Sequence, residues 1–322
     1  MSYRPRSITR ITFLLVLTSY FLSFYSIAMD YPNKPIRLIV GPGPDAIARA
    51  VAGKLSAQWG VSVYVEQIPG AGGVLAAQTV AKAPADGYTL LLTTGSYSIM
   101  EYIQGKPKVS LLKNFEPVAQ IASLPFFVLL NPTVPANSLS ELIQLAKSKP
   151  GTINCASTGI GTTAHLGCEM LRTYEKVEVI HVPYNGTPGA VTDLIGGRVQ
   201  MLFGTGPTLV NVAAGKLKVV AVTGPSRYSQ LPQLPTVGES GSPQLTFTSW
   251  NGIHAPAGTP PEVINKISQD IVNLASNNEI KELLNNQGFN PDFKAAPAFA
   301  NFVKNDLQQW AKVIKDTGAK AE

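Results

Sequence analysis

Short, continuous apolar runs alternate with amphipathic stretches along almost the whole chain, and this rhythm narrows the available folds more than any other feature. Ile36–Val40 is apolar with a β-branched bias. Behind Asp45, a residue type suited to an N-cap, Ile47, Val51, Leu55 and Trp59 recur every four residues along one helical face. Residues 62–66 read as a second strand, 74–83 as a helix, and 88–93 as a third strand after the Asp86-Gly87 turn. Strands without polar alternation, each followed by a helix, describe a buried parallel sheet with helical cladding.

The rhythm then restarts. A strand is expected at 126–130, followed by a helix to about Lys149 opened by Ser138 and Glu141 as a capping box. Strands at 153–156, 177–182, 199–203 and 217–222 alternate with helices at 163–174, from Pro188 to Gly196, and near 208–214. After a Pro/Gly/Ser-rich passage at 224–243, a strand-like stretch covers 245–255. A second capping box at Thr259-Pro260-Pro261-Glu262 then opens long helices that run to about Asp316. Two α/β units joined by extended segments near 124–132 and 246–256 predict two lobes with two crossovers. The expected division is 29–126 plus 252–322 for the first lobe and 127–251 for the second.

At the N-terminus, Arg4, Arg6 and Arg10 precede an uncharged run ending in Ser26-Ile27-Ala28. That order predicts a secretory signal peptide, cleaved after Ala28, and an exported protein. Three of the 26 basic residues and none of the 20 acidic ones lie in this segment, so the formal charge of +6 falls to +3 on cleavage. A surplus so small, without a Lys/Arg cluster, argues against nucleic-acid binding. Only Cys155 and Cys168 are present. One is placed on a strand and the other on the next helix, and they read as two small buried hydrophobes rather than a bridge. With His165, His181 and His254 scattered along the chain, no metal-ligand spacing and no cofactor motif is found.

In parallel α/β sheets ligands gather beyond the carboxyl ends of the strands. Three strand-to-helix turns stand out there. Gly41-Pro42-Gly43-Pro44-Asp45 and Pro69-Gly70-Ala71-Gly72-Gly73 are glycine-rich. The third, from Ser157 through Thr158, Gly159, Ile160, Gly161 and Thr162 to Thr163, offers four hydroxyls and several backbone donors. Neutral donors at a helix start make a suitable cradle for a carboxylate, while Thr162 or Thr163 also serves as a cap. Ser157 and His165 lack the G-x-S-x-G setting of a nucleophile, and no carboxylate pair has a readable spacing, so no enzyme is expected.

From about Tyr31 to Ala319 the sequence resembles the Bug family, the tripartite tricarboxylate transporter substrate-binding proteins (TctC-like). The resemblance rests on Tyr31-Pro32-Asn33-Lys34-Pro35-Ile36-Arg37-Leu38-Ile39-Val40, Pro69-Gly70-Ala71-Gly72-Gly73 and Asp86-Gly87-Tyr88-Thr89-Leu90-Leu91. It continues through Ser157 to Leu166, His181-Val182-Pro183-Tyr184-Asn185-Gly186 and Ala255-Pro256-Ala257-Gly258-Thr259-Pro260. It implies a two-lobed type II periplasmic-binding-protein fold, an α/β architecture of two mixed or parallel sheets flanked by helices. It also implies a small carboxylate ligand (a di- or tricarboxylate, an acidic amino acid or an aromatic acid), a monomer, and a membrane permease or a sensor kinase as partner. The ligand-binding set carried over is Gly41, Gly43 and Asp45; Ser157, Thr158, Gly159, Thr162, Thr163 and His165; Tyr184, Gly186 and Thr187; and Gly204. Three departures mark this chain. Its first turn is shorter than the family's V-P-x-P-P-G-G-x-x-D, Asn185 stands where a lysine or a related polar residue is usual, and Gly204 stands where an aspartate is common. Loss of that aspartate is expected to disfavour ligands carrying an amino group. Trp250, near the second crossover, is a candidate fluorescence reporter of closure.

Overall fold

A computed structural model of the chain describes residues 31–41, 45–69, 73–103 and 108–320. The expected signal peptide, the Gly70-Ala71-Gly72 part of the second turn, and Gly43 with both prolines of the first lie outside them.

The first unit begins with β1 (Ile36–Val40), α1 (Ala46–Trp59), β2 (Val63–Gln67), α2 (Val74–Ala81), β3 (Thr89–Thr94) and α3 (Gly95–Ile103). β1 pairs in parallel with both β2 and β3. Two long strands complete the sheet: β4 (Phe115–Pro125), which runs with the first three, and, from the far end of the chain, β10 (Thr248–Pro256), which lies between β3 and β4 and runs against both. With β11 (Asn290–Ala295) at the edge, the order is β11-β4-β10-β3-β1-β2. Ile36, Leu38 and Val40 from β1 meet Ile47, Val51 and Leu55 from α1 in its core, so the four-residue repeat faces inward as the sequence indicates.

The second unit holds β5 (Phe127–Leu130), α4 (Leu139–Ser148), β6 (Ile153–Ser157), α5 (Thr163–Tyr174), β7 (Val179–Pro183), α6 (Thr187–Ile195), β8 (Met201–Gly204), α7 (Leu209–Ala213) and β9 (Lys218–Val222). Its sheet order is β7-β6-β8-β5-β9, with β6 parallel to β7 and β8, and β5 antiparallel to β8 and β9. Both sheets are therefore mixed, because β5, which brings the chain into the second unit, and β10, which brings it back to the first, each run against both neighbours. The chain then returns through β10 to α8 (Pro261–Asn273), α9 (Asn278–Asn286), β11 and α10 (Ala296–Thr317).

The two crossovers lie side by side. Thr248 at the start of β10 pairs with Pro125 at the end of β4. Buried Thr223, just after β9, binds both: its hydroxyl accepts from Phe126 N–H at 3.0 Å and donates to Phe247 O at 2.7 Å. Helix α10 spans both units. Phe299, Val303 and Leu307 pack with Trp250 in the first, whereas Trp310 and Val313 join Phe247 and Leu171 in the core of the second.

The local expectations fare unevenly. Ser138 does cap α4, accepting from Glu141 N–H at 3.1 Å, although the Glu141 carboxylate reaches back to the amide of Asn137 instead. The second capping box does not form. Pro260 occupies the cap position of α8, and the Thr259 hydroxyl donates back to Pro256 O at 2.7 Å. Trp250 is wholly buried with its indole N–H on Asp306, which takes it out of contact with a ligand. The cysteines also overturn the sequence reading: Cys155 and Cys168 form a disulfide. Cys155 faces inward from β6 and Cys168 faces it from α5, with their Cα atoms 6.0 Å apart. That is the ordinary spacing of a bridge.

Candidate ligand cleft

Five strand-to-helix steps open onto one cavity of about 610 Å3: β1 to α1 and β3 to α3 from the first unit, β6 to α5, β7 to α6 and β8 to α7 from the second. Its polar lining comes from Thr94 and Ser96 at the start of α3, Thr158, Thr162 and Thr163 at α5, Thr187 at α6, Thr205 after β8, Ser249 and Asn251 on β10, and Gln287 after α9. Ala46 and Ile47 bring in the first turn of α1, and Leu92, Phe126, Phe203 and Phe289 supply apolar walls. Among the described residues no charged side chain lines the cavity. Negative charge there is met only by hydroxyls, amides and the partial positive charge of helix starts.

The serine/threonine turn is built with care for its hydrogen bonds. Thr162 caps α5, its hydroxyl accepting from His165 N–H at 3.3 Å and donating to Gly159 O at 2.7 Å. Gly159 and Gly161 hold φ of +137° and +78°, which explains glycine at both positions. Thr158, Thr162 and Thr163 all face the cavity, as do Thr187 and Gly204 from the expected set.

The other expected site residues stand elsewhere. Ser157 is fully buried behind the turn, its Oγ 2.7 Å from His181 Nε2 and 3.2 Å from both N and O of Gly159. It is neither a ligand donor nor an exposed nucleophile. His165 turns its Nδ1 to accept from Gly161 N–H at 3.1 Å and stacks on His181, ring centroids 4.2 Å apart. Gly159 and Gly186 shape the two turns from behind. Tyr184 donates its hydroxyl to Asp193 at 2.7 Å and packs into the second unit's core; burial first, then Asp193, raises its pKa. Gly41 packs against Gly73 and Tyr97. Asp45 makes no capping bond but pairs with Arg49 at 2.6 Å, and that hydrogen bond holds its pKa down.

Two of the three histidines are thus not scattered at all. His165, Glu169 and His181 place possible ligand atoms within 4.8 Å of one another. A metal ion needs converging lone pairs, whereas here the rings stack, Gly161 N–H occupies His165 Nδ1 and Ser157 engages His181 Nε2. Burial lowers the pKa of both rings; with His165 beside it, His181 falls to about 4, and Glu169 opposes the shift in each. His254 lies in the first unit's core, its Nδ1 2.8 Å from the Thr93 hydroxyl.

Sequence reasoning missed the walls given by β10 and the start of α3. The Thr94-Gly95-Ser96 step carries the same small hydroxyl signature as the turn at 157–163 and would have revealed the latter. Ser249 and Asn251 lie within a buried strand and carry no local signal.

Residues 47–319 match the family described as the tripartite tricarboxylate transporter family receptor, TctC. Protein BugT of Bordetella pertussis is 31% identical over 321 residues, 96% of this chain and 98% of that protein. Among solved structures, a protein of R. palustris with adipate superposes with a TM-score of 0.79 at 29% identity, covering 90% of this chain and 99% of the other. The periplasmic binding protein BugD superposes with a TM-score of 0.75 at 29% identity, covering 91% of this chain and all of the other.

Proposed function

Because the chain belongs to the tripartite tricarboxylate transporter family of receptors, we propose that it captures a small dicarboxylate with an apolar body in the inter-unit cleft and delivers it to a membrane permease. The observation that carries this reading is the cleft itself: helix starts from both units around apolar walls, and no charged side chain among its described lining residues. A carboxylate at each end of the ligand then meets neutral donors, one set from each unit. The chain between them lies against Leu92, Phe126 and Phe203. A tricarboxylate brings more charge than such donors offset, and an α-amino group finds no carboxylate partner. The adipate held by the R. palustris relative has this chemistry.

Binding proceeds without a chemical step. In the open form, water fills the cleft; the ligand replaces it on Thr158, Thr162, Thr163 and the backbone amides of α5, and the units close over it. The moving lobes are 29–126 plus 252–322 and 127–251, hinged at the paired crossovers. The protein acts in the periplasm, as does BugD, after removal of residues 1–28. Among the described residues no helix is long and apolar enough to cross a membrane.

A thermal-shift screen of residues 29–322 checks the ligand class. A dicarboxylate at one hundred times its Kd adds about 2.7 kcal/mol of stability, and adipate-like acids are expected to raise Tm while citrate and glutamate do not. A response to glutamate or citrate with none to dicarboxylates sinks the reading.

A further inference from the structure

Behind the cleft wall, the two limbs of the serine/threonine turn are tied to one stacked pair of imidazoles. Ser157 Oγ, which holds both N and O of Gly159, is 2.7 Å from His181 Nε2. Gly161 N–H donates to His165 Nδ1 at 3.1 Å. The rings lie 4.2 Å apart at an interplanar angle of 28°. The Thr162 hydroxyl, just beyond the second tie, donates to Gly159 O between them and closes the cradle.

We propose that His165 and His181 are positioning residues that hold the carboxylate cradle in its binding shape only while both rings are neutral, so that mild acid loosens the ligand. This rests on the cleft being the ligand site. The geometry sets the direction. Because His165 Nδ1 accepts from Gly161, the neutral ring carries its proton on Nε2, and a second proton must go onto Nδ1. There it opposes the Gly161 N–H, and the turn must swing away with Thr162. Protonation of both rings also sets two cations face to face at the stacking distance.

The charged groups around the pair are few. Glu169, one turn beyond His165, faces both rings and draws protons toward them. Arg172 donates twice to Oε2 of that carboxylate, at 2.9 and 2.6 Å, and once to Thr317 O at 3.3 Å. On α3, Glu101 is turned to the Leu111 amide. On α10, Lys312 and Asp316 pair beside Tyr174. Burial outweighs Glu169, and both rings titrate below an ordinary histidine. The unfolded chain takes up protons from about pH 6.5. The support these rings give the turn is therefore complete above that pH and is lost as pH falls through about 4, where His181 titrates.

The experiment pairs amide NMR of the ligand-free protein with adipate calorimetry from pH 7.5 to 4. His165→Asn keeps an acceptor at the Nδ1 position and His181→Gln keeps an amide at the Nε2 position, neither of which titrates. In the wild type, the Gly159 and Gly161 amide signals are expected to shift between pH 6.5 and 4. In the double variant they stay put. Relative to the double variant, wild-type Kd is expected to rise as pH falls toward 4, as a proton on His165 Nδ1 displaces the Gly161 N–H. Ionisation of the ligand itself cancels in that ratio. His165→Leu, which removes the acceptor, weakens binding at pH 7.5 by roughly two- to tenfold, the worth of one neutral hydrogen bond, and His165→Asn restores it. Amide signals that do not move, or that move equally in the double variant, overturn the proposal. Titrating amides in a protein that ignores adipate at pH 7.5 uphold the role in the turn and sink the ligand assignment alone.

Discussion

A Cβ at position 204 would lie 2.5 Å from Leu129 Cδ1 and 2.7 Å from Thr208 Oγ1. The site where the family commonly has an aspartate is therefore filled by neighbours, and the carboxylate has not simply been deleted. Gly204→Asp is expected to cost about 1–3 kcal/mol as overpacking, read as a lower urea midpoint, and to leave amino acids unbound. Full stability together with new glutamate binding would contradict this. At the same scale, Thr162→Ala removes a cap worth about 1 kcal/mol and lowers both Tm and adipate affinity. The threonines of the cradle were legible because hydroxyls cluster at a strand-to-helix turn. The roles of Ser157, His165 and Tyr184 were not. Each lies next to the cleft residues in sequence, but the alternation of a strand and the winding of a helix turn it to the back, where its polar atoms find partners inside the protein.

Elements were read best where pattern and turn chemistry agreed. Helix α5 and strand β1 match their expected bounds, since an apolar run or a capped amphipathic stretch defines each. Helix α3 went unread, and β4 and β11 were missed because Pro117, Pro125 and Pro291 interrupt strands that pair antiparallel near the sheet margin. The disulfide is also an element-scale fact. A helix folding back on its preceding strand brings inward residues 13 apart into bonding range, which spacing alone does not disclose. Closing a loop of that size is worth about 3 kcal/mol. The double variant Cys155→Ala with Cys168→Ala is expected to lose at least that much in urea unfolding, and an unchanged midpoint would show that the bridge contributes nothing to stability.

At the scale of the molecule, the units meet again across the mouth of the cleft. Gly206, just after β8, and Gly288, just before β11, approach so closely that a Cβ on Gly206 would lie 2.3 Å from Gly288 Cα. Close by, Gln230 donates to Asn285 O at 3.3 Å, from the second unit to the first. The two backbones thus meet at residues without side chains, where neither position has room for a Cβ. Gly206→Ala is expected to prop the units apart and weaken adipate binding roughly five- to 150-fold, the equivalent of about 1–3 kcal/mol, with little change in the Tm of the ligand-free protein. Unchanged affinity would mean that the units need not meet there. The two-unit plan was legible because the strand–helix rhythm restarts after the first crossover. This contact was not, since it joins glycines 82 positions apart with nothing local to mark either.

The most direct test of a dicarboxylate held at both ends by neutral donors is calorimetry with adipate and with its monomethyl ester. Each buried charged end is worth about 1.5–3 kcal/mol in hydrogen bonds, so the ester is expected to bind at least tenfold more weakly than adipate, and Thr163→Ala to weaken adipate further. Equal affinity for acid and ester would contradict two-ended anchoring, and no heat from either would remove the dicarboxylate from this cleft.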